Sequence, residues 1–552
     1  MLFRPWACAA GLAFLAAHPV GSQSNPISPV PHLETRGSAT QLIVDGKPFL
    51  ILGGELYNNS ATSLEYMKPV WPRLAAMHLN TVLAPVSWAL LEPTEGKFDY
   101  ALVDGLIRDA RAQHLRLVFL WFGSWKNTWS SYAPEWVKRD FARFPRVQLG
   151  NGSATERLSP FNETNRNADA HAFSALLRRV REVDAEAHTV MMIQVENEVG
   201  VIPDARDHSP AANAAYGQPA PAELMDYLQR HRNSLHPELH AKWRDAGFKT
   251  SGSWETVFGP GLETEDLFMA WHYARYIGKV AEAGKTEYAL PMYANAALIR
   301  PSYAPGQFNS GGPLPHSMDI WKAGAPQLDF LAPDIYFEFK KWSAEYDRPG
   351  NPLFIPEAVG NGPGAANVFY AIGSHKAFGF APFAIDGIDS SGEGSQELAR
   401  SYDVLSQLAP LILENQPKGR VAGVLLEELT PSQKVQLADY TLNVSGGGPR
   451  RIFPGEPVSP EAPRNQAPHG IFIATAPDEF YLAGSGLTIT FSPNTPGPPM
   501  VGLATVEEGR FVDGRWIRGR TLAGDDTGQG NSVSLPAGQG AGVLRVTVYR
   551  YR

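Results

Sequence analysis

From about residue 42 to residue 400 the chain alternates short, continuous apolar runs with longer stretches whose apolar residues recur three and four apart. The runs are FLILGGEL (49–56), NTVLAPV (80–86), RLVFLWF (116–122), TVMMIQVE (189–196), ALPMYAN (289–295), LDFLAPDIY (328–336), PLFIPEAV (352–359) and FGFAPFAID (378–386). Between them lie amphipathic patterns such as LEYMKPVWPRLAAMH (64–78), HAFSALLRRVREVDAE (171–186) and LFMAWHYARYIGKVAEAG (267–284). Runs without polar alternation suit strands buried on both faces, and helices between them suit parallel crossovers. The eight runs and their helices predict a (β/α)8 TIM barrel over 41–404, with its site at the C-terminal ends of the strands. A doubly wound open sheet is the competing arrangement, weakened because no G-x-G-x-x-G follows the first run. The long segment 201–262 after the fourth run is expected to wall the pocket.

After residue 405 the runs become short, β-branched and aromatic, separated by Gly, Pro and Asn turns: VAGVLLEEL, KVQLADYTLNV, GIFIATA, LTITFS and VLRVTVYRY. They predict a smaller all-β sandwich over 405–552, packed against the barrel as a structural module or acting as a separate sugar-binding one. At the other end, MLFRPWACAAGLAFLAAHPVGSQS has an early Arg4, an apolar stretch too short to span a bilayer, then small and polar residues. That is the layout of a signal peptide, placed at 1–23, with a Pro-rich tether over 24–40. The expected location is therefore exported, periplasmic or secreted.

Composition narrows the chemistry. The sole cysteine, Cys8, falls in the expected signal, which leaves the mature chain without disulfides, cysteine nucleophiles or thiolate metal sites. Net charge is -8, and no basic run with interleaved aromatics is present, so nucleic acid is not an expected partner. No membrane partner is expected after signal cleavage, and the sequence leaves the oligomeric state open. No His cluster with metal-ligand spacing, no G-x-S-x-G elbow and no phosphate-cradling loop occurs, so the expectation is a site without metal or cofactor. The 13 Trp and 19 Tyr supply flat faces suited to sugar rings.

Polar residues just past each run would converge on one mouth. They are Glu55 and Tyr57, Ser87 and Trp88, Trp121 with Ser124, Trp125 and Asn127, Glu196 to Glu198, Tyr293 and Asn295, Asp334 and Tyr336, Glu357, then Asp386 and Asp389. Carboxylates and aromatics dominate, and two carboxyls across a Trp- and Tyr-lined pocket are the minimum needed to cleave a glycosidic bond. Glu198 and Glu357 each follow an apolar run, where a charge is costly unless paired or used. Strand alternation places Glu196 and Glu198 on one side and does not choose between them.

QVENEVG (194–200) with FIPEAVGNG (354–362), NTVLAPVSWALLEPTEGKFDY (80–100) and the all-β tail resembles the glycoside hydrolase family 35 β-galactosidases over nearly all of the mature chain. The resemblance implies a retaining exo-β-galactosidase, with Glu198 as acid/base and Glu357 as nucleophile. It also implies that Asn197 contacts the sugar 2-hydroxyl and Tyr336 stands beside the nucleophile, and it puts Trp88, Glu92, Pro93, Gly96 and Phe98 in register with a second-strand signature. Trp125, Asn127, Trp88 and Tyr57 complete the expected carbohydrate-binding set, and Lys126 is a substitute hydrogen-bonding group. Val199, Pro85 and Ser124 depart from the family pattern, the last where a glutamate would reach the sugar hydroxyls. Those departures keep open another retaining exo-β-glycosidase of the same clan, acting on glucosaminides or arabinosides, and a non-catalytic sugar-binding protein.

Overall fold

The computed structural model describes residues 1–2, 29–387, 392–447, 466–538 and 541–552. Residues 3–23 of the expected signal peptide, with Cys8, and Asp389 at the expected mouth lie outside the described residues.

Eight parallel strands close into a barrel: Ile51–Glu55, Thr81–Ser87, Arg116–Lys126, Val190–Asn197, Met292–Ala297, Phe330–Ile335, Phe354–Ala358 and Gly379–Pro382. They coincide with the eight apolar runs, and closure excludes the open doubly wound sheet. Burial on both faces explains why the runs lack alternation: Leu83, Val118 and Phe354 fill the interior, while Val82, Leu117 and Ile355 meet the outer helices. Among those helices are Glu163–Asp184, Leu262–Glu287, Asn361–His375 and Glu393–Asn415. Segment 201–262, expected to be a pocket wall, folds largely into short helices, including Ala222–Arg230 and Pro237–Asp245. Ala222–Arg230 packs against the later helix Met318–Gly324, and Pro237–Asp245 against the short helix Trp254–Phe258, which in turn packs on Leu262–Glu287.

The expected tether over 24–40 is corrected at its far end. Proline richness stops at Pro31, and His32–Arg36 pairs antiparallel with Ala39–Val44 across a turn in which Gly37 takes φ 54. A third strand, Lys47–Phe49, completes this small sheet. Its Leu42 and Val44 join Ile51, Leu83, Val118 and Phe330 in the barrel interior, so the sheet plugs the N-terminal end of the barrel.

The tail forms a six-stranded and a four-stranded antiparallel sheet around one core that includes Val424, Leu442, Phe480, Ile489 and Val546. The expected boundary at 404/405 is corrected, because helix Glu393–Asn415 runs across it. That helix buries Leu398, Tyr402, Leu405, Leu408 and Ile412 in the barrel core, so its apolar spacing continues the barrel beyond 404. The six-stranded sheet adds Ile471, Ile473, Tyr481 and Val543 to the same core. Helix Asn361–His375 lies so close to strand Val421–Leu425 that a Cβ on Gly373 would come within 2.5 Å of the Gly423 Cα.

Candidate active site

Period-two alternation carries three groups to the inner face at the C-terminal mouth. Ile51 is interior, and Glu55 lies two inward positions further on; Tyr293 leads in the same way to Asn295, and Phe330 to Asp334. The same rule turns Glu357 outward, because it stands an odd number of residues beyond the interior Phe354. The strand escapes the rule: its pairing with the eighth strand shifts register between Ile355 and Ala358, and the irregularity re-aims Glu357 into the pocket.

The fourth strand separates its two glutamates by backbone conformation. Glu196 takes φ 64 and Glu198 φ 45, left-handed values that cost a non-glycine residue free energy and so persist only where the surroundings enforce them. Glu196, fully buried, turns toward the third strand and accepts from the backbone N–H groups of Ser124 at 2.9 Å and Trp125 at 2.8 Å. It also meets Asp169, and burial followed by the Asp169 charge pushes its carboxyl well up. Asp169 in turn accepts from Ser124 Oγ at 2.5 Å and Trp121 Nε1 at 2.9 Å. Gly123 makes room for this arrangement, since a Cβ there would lie 2.5 Å from Glu196 Oε1. Glu196 is thus a structural carboxyl.

Glu198 faces the opposite way. Its N–H donates to Asn295 Oδ1 at 3.0 Å, and its carbonyl accepts from Thr128 Oγ1 at 2.6 Å and Asn309 Nδ2 at 2.9 Å. Carboxylate oxygens of Glu198, Asp334 and Glu357 all lie within 4.8 Å of one another. Tyr336 OH donates to Glu357 Oε1 at 2.5 Å, and Asn295 Nδ2 donates to Asp334 Oδ2 at 2.6 Å. Lys126 is buried beside them, donating from Nζ to Asn197 Oδ1 at 2.9 Å and to Asn127 Oδ1. Burial, then the charge of Glu198, raises the Glu357 carboxyl to about 7, against the opposing pull of Lys126 and Tyr336. Glu55 and Asp334 are pushed well above the usual carboxylate range by burial first and Glu357 second.

Several polar atoms in this pocket are buried without a protein partner: both Glu55 oxygens, Asn197 Nδ2, Tyr293 OH, Asp334 Oδ1 and Glu357 Oε2. Buried polar groups are normally satisfied, so a set of orphaned donors and acceptors around one cleft fits a polyhydroxylated guest.

Of the expected binding residues, Asn197 and Tyr336 lie at this cluster. Asn127 is exposed with its side chain on Lys126, and Tyr57 is exposed after the first strand, its N–H on Asp386 Oδ1 at 2.8 Å. Trp88 and Trp125 are corrected: both are fully buried and offer no face to a ligand. Trp88 stands edge-on to Trp136 and donates to Glu92 Oε2 at 2.9 Å, while Glu92 Oε1 accepts the Gly96 N–H at 2.7 Å. The second-strand signature is therefore a clamp on its own loop. Trp125 donates to the Leu158 carbonyl and packs on Tyr273 and Tyr276; it stands eight residues beyond the outward Leu117, so plain alternation already turns it away from the pocket. Ser124, which alternation would aim inward, is instead held on Asp169 and Tyr276 where the strand's pairing becomes irregular. The sequence reading assigned no role to Asp169, a buried carboxyl within the helix Glu163–Asp184, or to Thr128 and Asn309, whose loop positions carry no periodic signal.

A family model described as "Beta-galactosidase", that of glycoside hydrolase family 42, matches residues 57–351, more than half of the chain. The chain belongs to glycoside hydrolase family 42. The family 35 resemblance is corrected accordingly: the family that the chain matches is family 42. Residues 398–534 match a second family model, described as a domain of unknown function. A β-galactosidase of Xanthomonas manihotis is 29% identical over 184 residues, covering 32% of this chain and 28% of that protein. The chain therefore matches less than a third of that relative's length. A β-galactosidase structure from Bacillus circulans sp. alkalophilus superposes with a TM-score of 0.50 at 10% identity, over 90% of this chain and 99% of that one, which shows a shared fold. One from Rahnella sp. R3 gives a TM-score of 0.45 at 17% identity, over 66% of this chain and 57% of that one.

Proposed function

We propose that the protein is a retaining exo-β-galactosidase that removes terminal β-galactosyl residues by double displacement. The observation that carries the reading is the approach of the Glu198 and Glu357 carboxyl oxygens to within 4.8 Å across the barrel mouth. Retaining enzymes hold their two carboxyls about 5–5.5 Å apart, too close for an intervening water, whereas inverting ones leave that room. Family membership supports the choice of galactose.

In the first step Glu357 attacks the anomeric carbon as Glu198 gives its proton to the departing oxygen. The C1–O bond to the leaving group breaks and a glycosyl ester forms on Glu357. In the second step Glu198, now ionised, takes a proton from water, which attacks C1 and releases Glu357. Asn197 Nδ2, buried and unpartnered, is free to donate to the 2-hydroxyl, with Lys126 fixing its amide through Oδ1. Glu357 has to be ionised to attack; burial opposes this, and Lys126 and Tyr336 favour it.

Replacing Glu357 by Gly should lower kcat on an aryl β-galactoside by about 10³-fold or more. Azide should then restore turnover with formation of a glycosyl azide. Glu198→Gln should slow substrates with poor leaving groups by about 10²–10⁴-fold and activated aryl galactosides far less. NMR during turnover should show net retention at C1; inversion would remove the proposal.

A further inference from the structure

Double displacement uses two carboxyls, and among the described residues this pocket gathers four, Glu198, Glu357, Asp334 and Glu55. Asp334 has one oxygen engaged by Asn295, but Glu55 has neither engaged. Glu55 ends the first barrel strand on its inner face and is fully buried. It lies in the field of Glu357, Lys126 and Glu198, while the neighbouring Tyr293 OH feels Glu55 first among the charged groups around it. A structural carboxyl at this depth would be expected to collect donors, as Glu196 does from two backbone N–H groups. Glu55 collects none, and its surroundings leave both oxygens open to a guest.

Its depth indicates which part of the guest it meets. An exo-acting site admits a sugar by its non-reducing end and keeps the anomeric carbon between Glu198 and Glu357, with the leaving group toward solvent. A fully buried group then faces the ring edge away from C1. Two oxygens of one carboxyl match the spacing of a vicinal diol, and galactose presents a cis pair at C3 and C4.

We propose that Glu55 is a substrate-binding residue that grips the C3 and C4 hydroxyls of the bound sugar and so selects the galacto configuration, with Tyr293 OH as a second contact from the fifth strand. The inference rests on the glycosidase reading and adds to it the group that reads the sugar. Sites built to hydrogen-bond a hydroxyl discriminate strongly against analogues lacking it, because buried polar atoms are then left unpaired.

The test compares wild type, Glu55→Gln and Glu55→Leu on aryl β-galactoside, its 4-deoxy analogue, β-glucoside and β-fucoside, with circular dichroism confirming the fold. Wild type should prefer galactoside to the 4-deoxy compound by about 100-fold or more in kcat/KM. That preference should shrink by at least about tenfold in Glu55→Leu, with the galactoside-to-fucoside ratio unchanged. Glu55→Gln, which keeps the shape and one acceptor, should fall between and stand in for the Leu variant should that fail to fold. An equal loss on all four substrates, a change confined to the fucoside ratio, or no change would overturn the inference while leaving the glycosidase reading intact. Wild type inactive on every galactoside would instead remove that reading.

Discussion

Glu357 is held where an ionised carboxyl is most costly, in a buried pocket facing another carboxyl, and the protein counters with one cation and one phenol. The balance leaves it titrating at about 7, which should set the acid limb of the pH profile of kcat/KM near neutrality. Lys126→Met removes a positive charge that favours the ionised form, so the limb should move to higher pH, by about one unit. A limb unmoved in that variant would mean that Lys126 does not bear on the nucleophile.

The same imbalance has a stability cost with a definite sign. A carboxyl raised on folding binds its proton more tightly in the native state, so the penalty is absent below the unfolded value of 4.5 and complete above about 7. Glu357→Gln should therefore raise the thermal midpoint, and by more at pH 8 than at pH 5. Equal gains at both would place the effect in packing rather than charge. At this scale the sequence pointed to Glu198 and Glu357 because each interrupts an apolar run. It did not reveal how they come to face one pocket. Alternation aims Glu357 outward and puts Glu196 beside Glu198, and the local irregularities that reverse both outcomes carry no periodic signal.

The elements themselves were readable for a simple reason. A strand buried on both faces must be apolar throughout, and eight such runs separated by helical periodicity leave few arrangements besides a barrel. The tryptophans at the strand ends were misread because a large aromatic near a mouth either lines it or packs behind it, and the backbone turn decides which. Trp125 lies on the outer face of the third strand, in line with Leu117, Phe119 and Trp121, and packs behind the mouth. Small residues act at this scale too. Gly373→Ala would drive a Cβ against the Gly423 backbone at 2.5 Å and push helix Asn361–His375 off its neighbouring strand, at about 1–3 kcal/mol measured by denaturant unfolding. Unchanged stability would mean that the helix and strand can separate without loss.

For the whole molecule, a change in texture near 405 suggested two units, yet the last barrel helix crosses that point and the six-stranded sheet shares the barrel's outer core. Texture reports the kind of element, whereas a boundary depends on where apolar faces meet, which one-dimensional periodicity does not contain. The N-terminal sheet is the counterpart at the other end. With Leu42 and Val44 packed beneath the interior, the described residues close the barrel at the end opposite the candidate pocket. A chamber closed at its far end imposes an order on traffic: the leaving group, nearer the mouth, departs first, and the freed sugar departs last, before the next chain end can enter. Galactose should accordingly inhibit competitively with substrate, while the released alcohol should intercept the glycosyl ester and return transfer products, a pattern that initial-rate inhibition and product analysis at high acceptor concentration would check.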